Sequence, residues 1–301
     1  MSEISNLSRV LASGAFAVTA EITTPKGADL AGFRKRAAHF LGQADAVNVT
    51  DNQAAAVHLS PQACAGELVR LGIEPVFQMT CRDRNRIALQ SEFLGAMAVG
   101  ARNVLCLSGD HTRFGDEAQA RGVFDLDSVQ LIQALNDLVE KGRFIGGGKL
   151  EGKVQAYLGG AAGPFADPMG AQVRKLRKKV QAGARFVQTQ GVFDLERFER
   201  WMAAVRAEGL HKQAKILAGI IPVRSFKASR YMRDQVPGIR IPDAVMARFE
   251  QAADVKEEGV RFAVEAIEAV RKVEGVAGVH IMAIGWDEIV PEVVKRAGLR
   301  K

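Results

Sequence analysis

The chain has 301 residues, of which 48% are hydrophobic and 25% are charged, a composition typical of a globular protein with one large domain or two ordinary ones. No run of about 18 apolar residues predicts a membrane span, and the first residues lack the basic start and apolar stretch of a signal peptide, so we expect a cytoplasmic protein without membrane contact. The net charge of +7 favours acidic partners. Nucleic-acid binding is not expected, because no helix-turn-helix, finger or RNA-binding pattern is present.

The cysteines and histidines predict neither a disulfide framework nor a metal centre. Cys64, Cys81 and Cys106 form no CxxC pair and are expected to be reduced thiols. The five histidines show no HxH or HExxH spacing, so no metal site is predicted.

Strand-like apolar runs alternate with helix-period segments along almost the whole chain, which is typical of repeated β-α units around a parallel sheet. Strands are predicted at 16–22, 46–50, 74–80, 103–108, 154–158, 185–190, 215–221 and 278–284. Three additional helices are predicted between the last two strands, at about 225–235, 243–253 and 256–273. Eight such units in 301 residues predict an α/β fold, a (β/α)₈ TIM barrel forming a single domain over 1–301.

Local signals support this order of elements. Ser60-Pro61 is a typical helix start, and Asp194 is placed to cap a helix whose apolar stripe is Leu195, Phe198, Met202 and Val205. The rival fold, a doubly wound dinucleotide-binding sheet, needs G-x-G-x-x-G after the first strand, and "TTPKGADLAG" lacks it. The Gly-rich segment 145–153 precedes the fifth strand and is interpreted as a hairpin or loop.

In a TIM barrel the chemistry gathers at the C-terminal ends of the strands. Two carboxylates, Glu21 and Asp110, are predicted there among mostly neutral side chains. The neutral group comprises Thr23, Thr50, Asn52, Gln78, Thr80, Ser108, Tyr157, Gln188 and Gln190. Amides and hydroxyls suit a flat heterocycle with many donors and acceptors, and the missing Asp/His/Glu cluster argues against a divalent-metal aldolase or amidohydrolase.

Glu21 ends the stretch "FAVTAE" as a lone carboxylate at the tip of an apolar strand. A partly desolvated carboxyl group at a barrel mouth suits a general acid. An ion pair with Lys26 or a neighbouring Arg is the structural alternative. For Asp110 the alternative is an ordinary turn residue in Ser-Gly-Asp.

Several motifs, taken in order, resemble the 5,10-methylenetetrahydrofolate reductase family from about residue 15 to 298. They are "VTAEITTPK", "VNVTD", "QMTCRDRN", "LSGD", "LRKKVQAGARFVQTQGVFD", "GIIPVRSF" and "HIMAIGW". The resemblance implies a flavin-containing barrel, with FAD expected in preference to FMN, that reduces methylenetetrahydrofolate to 5-methyltetrahydrofolate in folate one-carbon metabolism.

The resemblance also implies roles for individual residues. Glu21 would protonate the bridging nitrogen of the folate and open its five-membered ring to an iminium, which takes hydride from N5 of the reduced flavin. Asp110 would lie near flavin and pterin, and Gln190 and Phe226 would contact the substrate. The flavin-lining positions are Thr50, Gln78, Leu107, Ser108, Gly109, Asp110, Tyr157 and Lys179, the last a candidate for the cofactor phosphates.

Four positions depart from better-known members. Gln78 replaces a His, Ser108 replaces an Arg, "YLGGAAG" at 157–163 replaces a Tyr-Pro-Glu-x-His run, and Gly285-Trp286 replaces Asn-Arg. The resemblance therefore leaves the electron donor open between NAD(P)H, ferredoxin and a zinc-containing or electron-transfer partner subunit, and a homo- or hetero-oligomer is expected. Two other interpretations stay open: a barrel methyltransferase or pterin/corrinoid-binding subunit of a one-carbon complex, and a non-catalytic scaffold subunit.

Overall fold

Eight parallel strands form the centre of the computed structural model, which describes residues 4–300. They pair in chain order and close into a barrel where β8 pairs with β1. The predicted TIM barrel is confirmed. The strands are β1 (Ala17–Ile22), β2 (Ala46–Val49), β3 (Pro75–Thr80), β4 (Asn103–Leu107), β5 (Tyr157–Ala162), β6 (Phe186–Gly191), β7 (Lys215–Ile220) and β8 (Val276–Ile281).

Helices surround this barrel, and two predicted helix starts are confirmed. Ser60 accepts a hydrogen bond from the backbone N–H of Gln62, and Asp194 accepts one from that of Arg197. The three helices expected between the last strands are α9 to α11. The helices are α1 (Asn6–Ser13), α2 (Ala31–Ala37), α3 (Pro61–Arg70), α4 (Arg86–Ala98), α5 (Ser128–Lys141), α6 (Met169–Ala182), α7 (Leu195–Ala207), α8 (Leu210–Gln213), α9 (Phe226–Gln235), α10 (Asp243–Glu250), α11 (Val255–Arg271) and α12 (Val290–Arg296).

Alternation along each strand divides its side chains between two environments. In β1, Val18, Ala20 and Ile22 are fully buried in the main apolar cluster between strands and helices. The other set, Ala17, Thr19 and Glu21, points into the barrel, because successive side chains of a strand face opposite sides. Both faces of the strand are covered, which explains why it is apolar almost throughout.

The floor of the barrel is closed by α1, which the sequence pattern did not predict. Leu7 and Leu11 of this helix pack against inward-facing side chains at the amino ends of the strands. Glu74 fixes the helix: its carboxylate accepts from the backbone N–H of Asn6 at 2.6 Å and of Leu7 at 2.9 Å, and from Asn103 Nδ2 at 2.8 Å. An anion at a helix N-terminus satisfies donors that have no partner within the helix.

The fifth strand is the main correction to the predicted elements. It covers Tyr157–Ala162 instead of 154–158. Its two glycines made it a poor strand candidate by propensity. Gly159 is needed there because a Cβ would lie 2.4 Å from the ring of Phe186. Tyr157 consequently begins β5 at the floor instead of ending it at the mouth.

The three cysteines are unpaired and buried. Burial raises their pKa, to about 11 for Cys64 and to about 12 for Cys81, which leaves them as inert thiols. The Gly-rich segment 145–153 is a loop closed by a bridge between Arg143 and Lys149, as predicted. Within residues 4–300, every helix is too short or too polar to cross a membrane.

Replacing Glu74 with Gln is expected to lower the free energy of unfolding by about 2 kcal/mol, because a charged acceptor for three N–H groups is lost. Urea unfolding of Glu74→Gln measures this. Glu199→Gln, at an exposed position of α7, is the matched control. Equal stability of the two variants would contradict the role given to Glu74.

Candidate active site

A cavity of about 440 Å³ opens at the C-terminal ends of the strands. β1, β3, β4, β5, β6 and β8 contribute lining residues, and Pro237 and Gly238, between α9 and α10, contribute from the side. The structure brings together most of the predicted site residues here. Those lining the cavity are Glu21, Gln78, Leu107, Ser108, Gly109, Asp110 and Gln190.

The cavity has an apolar side and a polar side. Leu105 and Leu107 of β4 and Ala161 and Ala162 of β5 expose carbon atoms or short side chains. β1, β3 and β6 contribute a carboxylate and amides. They are Glu21, Gln78, Gln188 and Gln190. A flat aromatic ring can pack on small apolar residues while its edge atoms hydrogen-bond to amides.

Glu21 is held at the edge of the cavity by one of its two oxygens. Its Oε2 accepts a hydrogen bond from Gln78 Nε2 at 2.8 Å and lies 3.7 Å from His280 Nε2. The side chain is 24% exposed. Within residues 4–300 no donor contacts Oε1. One oxygen is therefore anchored and the other is open to a ligand.

The ion-pair alternative for Glu21 is not what the structure shows. Lys26 pairs with Asp116 instead, with 2.8 Å between Nζ and Oδ2. Among the described side chains, His280 is the one basic group within 4 Å of the Glu21 carboxylate. Glu21 is thus not neutralised by Lys or Arg.

A buried polar layer lies beneath Glu21, and the sequence motifs do not reveal it as a unit. His280 Nδ1 lies 3.0 Å from Thr19 Oγ1 and 3.3 Å from Gln188 Nε2. Gln188 and Asn48 exchange two hydrogen bonds, at 2.7 and 2.9 Å. The signal that could have found this layer is the step of two residues from Glu21 to Thr19, applied to every strand.

Asp110 is placed by the turn that follows β4. Gly109 has φ of 90°, and a Cβ there would lie 3.0 Å from Cβ of Arg82. The buried Arg82 donates from Nη1 to the carbonyl of Asp110 at 3.2 Å and from Nη2 to that of Asn52 at 3.0 Å. Among residues 4–300 the Asp110 carboxylate accepts no hydrogen bond, although a turn-forming Asp normally does.

Asp51 is a third carboxylate at the cavity, and unlike the other two it is fully engaged in hydrogen bonds. It accepts from the backbone N–H of Thr80 at 2.7 Å and its hydroxyl at 2.9 Å, and from Arg84 through both Nη atoms. Burial by itself lowers the pKa of Arg84, but the hydrogen bonds to Asp51 together with the negative charges of Asp51, Glu92 and Asp83 outweigh this and raise it. Arg84 therefore stays charged, and its ion pair with Asp51 joins the ends of β2 and β3.

Gln53 provides an unused acceptor. Its Oε1 is buried without a hydrogen-bond partner, and the residue lines the cavity. The surrounding backbone is strained: Asn52 has φ of 44°, Ala54 of 53° and Ala55 of 57°. An unpaired buried acceptor costs free energy unless a ligand supplies a donor. Strain of this kind is typical of binding sites.

Four predicted site residues do not line the cavity. The prediction for Tyr157 is wrong: it lies at the floor, stacked on Phe186 with 5.3 Å between ring centroids. Thr50 is buried against Thr24.

Lys179 and Phe226 also lie off the cavity. Lys179, on α6, donates to the carbonyl of Ala161 at 2.6 Å, and burial lowers the pKa of its ammonium group. Phe226 begins α9 and packs against a separate apolar cluster that includes Met232. Through Ala161, Lys179 supports the wall of the cavity from behind. No three His, Cys, Asp or Glu side chains of residues 4–300 come together as metal ligands.

Solved structures share the fold. An uncharacterized protein from Clostridium thermocellum, described as binding two copies of 5-methyl-5,6,7,8-tetrahydrofolic acid, superposes with a TM-score of 0.66 at 15% identity, over 97% of this chain and 98% of that one. Oxaloacetate acetylhydrolase gives a TM-score of 0.52 at 12% identity, over 96% and 83%. At these identities the likeness concerns the fold alone.

Sequence comparisons identify the family. The 5,10-methylenetetrahydrofolate reductase of Salmonella typhimurium is 26% identical over 235 residues, which are 77% of this chain and 72% of that protein. Methylenetetrahydrofolate reductase 1 of Schizosaccharomyces pombe is 26% identical over 233 residues, 75% of this chain but only 36% of its own length. A sequence model described as methylenetetrahydrofolate reductase matches residues 6–298. The chain belongs to the methylenetetrahydrofolate reductase family, as its motifs predicted.

Proposed function

We propose that this protein reduces 5,10-methylenetetrahydrofolate to 5-methyltetrahydrofolate with a bound flavin, and that Glu21 is the general acid. The observation that carries the proposal is the placement of Glu21: one oxygen is held by Gln78, and the other is open to the cavity. The names of the relatives support the reaction. So does the C. thermocellum neighbour, which binds the product of this reaction.

The cavity suits a flavin on three counts. Its apolar side, formed by β4 and β5, can pack against the isoalloxazine ring. Gln78 can donate to the ring edge, and Gln53 Oε1 needs a donor that the imide N–H or the ribityl hydroxyls possess. We propose that Gln78, Leu107, Ser108, Gly109 and Asp110 hold the ring, and that the cofactor is FAD. The bound flavin supplies the hydride.

The substrate would lie between this ring and Glu21. Gln190 lines the cavity from β6, and its Oε1 accepts from the backbone N–H of Gly191 at 3.1 Å, which directs its amide N–H groups outward. They can donate to acceptors on the pterin edge. We also propose that Phe226 contacts the substrate, although in this structure it packs against a separate apolar cluster at the start of α9.

Glu21 supplies the proton that opens the substrate ring. The bridging nitrogen of methylenetetrahydrofolate is a poor leaving group until it is protonated, so ring opening to the iminium needs an acid at that atom. Proton transfer leaves Glu21 as a carboxylate beside a cationic iminium, an arrangement that stabilises both charges. Asp110 lines the same cavity with its carboxylate exposed at the mouth. It would therefore add a second negative charge near the same cation.

For the electron donor and for a partner subunit, several candidates are proposed. NAD(P)H, reduced ferredoxin and a zinc-containing or electron-transfer partner subunit are each compatible with a flavin at an open barrel mouth. Measuring the rate of flavin reduction with each donor, with and without proteins that co-purify, identifies the one that is used. A homo- or hetero-oligomer is expected, and size-exclusion chromatography with light scattering measures it.

The purified protein is expected to be yellow and to lose folate reduction when its flavin is removed. Adding FAD to the colourless protein should restore both the visible absorption and the activity. Protein that binds 5-methyltetrahydrofolate but takes up neither FAD nor FMN would instead favour a methyltransferase or a pterin-binding subunit.

Glu21→Gln is expected to keep the flavin and its reduction by the donor, while folate reduction falls by about 10²- to 10⁴-fold because only the proton is removed. Stopped-flow absorbance follows the two half-reactions separately. Glu117→Gln, an exposed position in the loop after β4, is the control and should behave as wild type. Folate reduction at the wild-type rate in Glu21→Gln would rule out Glu21 as the acid.

Asp110→Asn is expected to fold normally but to reduce folate more slowly, by about tenfold or more, because a charge near the iminium is lost. Circular dichroism and steady-state turnover together measure this. Unchanged turnover would support the interpretation of Asp110 as a turn residue.

A further inference from the structure

His280 is a buried titratable group next to the proposed acid, and neither the motifs nor the comparisons give it a role. It lies in β8, is 3% exposed and points into the barrel. Its Nε2 lies 3.7 Å from Glu21 Oε2. We propose, on the basis of the function proposed above, that His280 is a positioning residue: it donates from Nε2 to Glu21 Oε2 and so leaves Oε1 to carry the proton that is delivered.

The surroundings of Nδ1 decide which nitrogen carries the hydrogen. Gln188 Nε2, at 3.3 Å from Nδ1, can only donate. The Thr19 hydroxyl accepts from Gln188 Nε2 at 3.1 Å, and its own hydrogen can be donated to Nδ1 at 3.0 Å or to the more distant carbonyl of Val279 at 3.3 Å. The reciprocal pair with Asn48 holds the Gln188 amide in the orientation that turns its nitrogen toward the imidazole. Nδ1 is therefore the acceptor, and the hydrogen lies on Nε2, facing Glu21.

This tautomer makes the two oxygens of Glu21 unequal. Gln78 and His280 both face Oε2 with N–H groups, whereas no donor among the described residues faces Oε1. A carboxylic acid keeps its hydrogen on the oxygen that receives no donors, because a donor facing an O–H group would repel it. The proton of Glu21 accordingly lies on Oε1, the oxygen that is open to the substrate.

The distance of 3.7 Å is longer than a hydrogen bond, and this suits a group that acts during proton transfer. Catalytic hydrogen bonds are often long without substrate and shorten as charge develops. Once Glu21 has given up its proton, the carboxylate draws the Nε2–H toward Oε2. His280 then stabilises the form of Glu21 that exists after the transfer, which lowers the barrier to ring opening.

The charged groups around the pair do not provide an alternative partner. Asp51 is paired with Arg84 at the ends of β2 and β3, and Arg82 is paired with Asp83. Asp110, after β4, lines the same cavity with its carboxylate exposed. β5 and β6 contribute only neutral lining residues. Among the described residues, His280 is thus the one basic group next to the Glu21 carboxylate, beside the neutral donor Gln78.

Two amide substitutions test the roles of the two ring nitrogens of His280 separately. The amide of His280→Gln reaches the position of Nε2 and can still donate to Glu21. The shorter amide of His280→Asn occupies the position of Nδ1 and leaves Oε2 with Gln78 alone. The Asn amide can hydrogen-bond with Thr19 and Gln188, and the Gln amide with Glu21, so both variants keep a polar group in the layer and are expected to fold. His39→Gln, on the outside of the barrel between α2 and β2, is the control.

The experiment measures folate reduction against pH in the flavin-loaded variants. His280→Asn should lower the rate constant by about tenfold and move the alkaline limb of the profile up by about one pH unit, because the carboxylate loses a donor. Flavin content and the rate of flavin reduction by the donor should not change. His280→Gln should stay within about threefold of wild type, with its original profile.

Two results would overturn the proposal. One is a wild-type rate and pH profile in His280→Asn. The other is an equal loss in both variants, accompanied by lower melting temperature or flavin content, which indicates a structural role. Neither is confused with failure of the proposed function, since in that case the wild-type protein itself would not reduce methylenetetrahydrofolate.

Discussion

The closed barrel imposes one constraint from which the site follows: every second residue of each strand must point inward. In β1 this places Ala17 at the floor, Thr19 in the middle and Glu21 at the mouth. The residues between them are fully buried in the apolar layer under the helices. The carboxylate of Glu21, two residues after Thr19, must therefore face the cavity, because the strand geometry fixes the direction of its side chain.

The inward-facing side chains form three layers, the floor, the middle and the mouth, which differ in chemistry and in their role. The floor is apolar and closed by α1. The middle layer consists of buried polar side chains that satisfy one another, since an unpaired polar group at that depth would cost several kcal/mol. The mouth contains the groups with spare hydrogen-bonding capacity: Glu21 Oε1, the Asp110 carboxylate and Gln53 Oε1. Rigid lower layers hold the mouth ready for ligands, which is the arrangement that efficient catalysis needs.

Much of the fold and of the barrel mouth could be predicted from the spacing of apolar residues and from the residues that mark the ends of helices and strands. The barrel, its strands other than β5 and the three extra helices all follow from apolar runs of the right length. The position of β5 was predicted wrongly because Gly159 is required by the ring of Phe186, which comes from the neighbouring strand and cannot be recognised in a local pattern. α1 is held by Glu74 and Asn103, again partners distant in sequence. The mouth residues Glu21, Gln78 and Gly109 were identifiable because strand ends mark the mouth, whereas the His280 layer required the register of several strands at once.

A single-turnover experiment shows whether the reduced flavin itself passes its hydride to the folate. The protein, reduced anaerobically, is mixed with methylenetetrahydrofolate in the absence of any electron donor, and flavin absorbance and 5-methyltetrahydrofolate are followed together. The flavin is expected to be reoxidised, and one equivalent of 5-methyltetrahydrofolate should form at the same rate. Reduced flavin that persists beside bound, unchanged folate would contradict it.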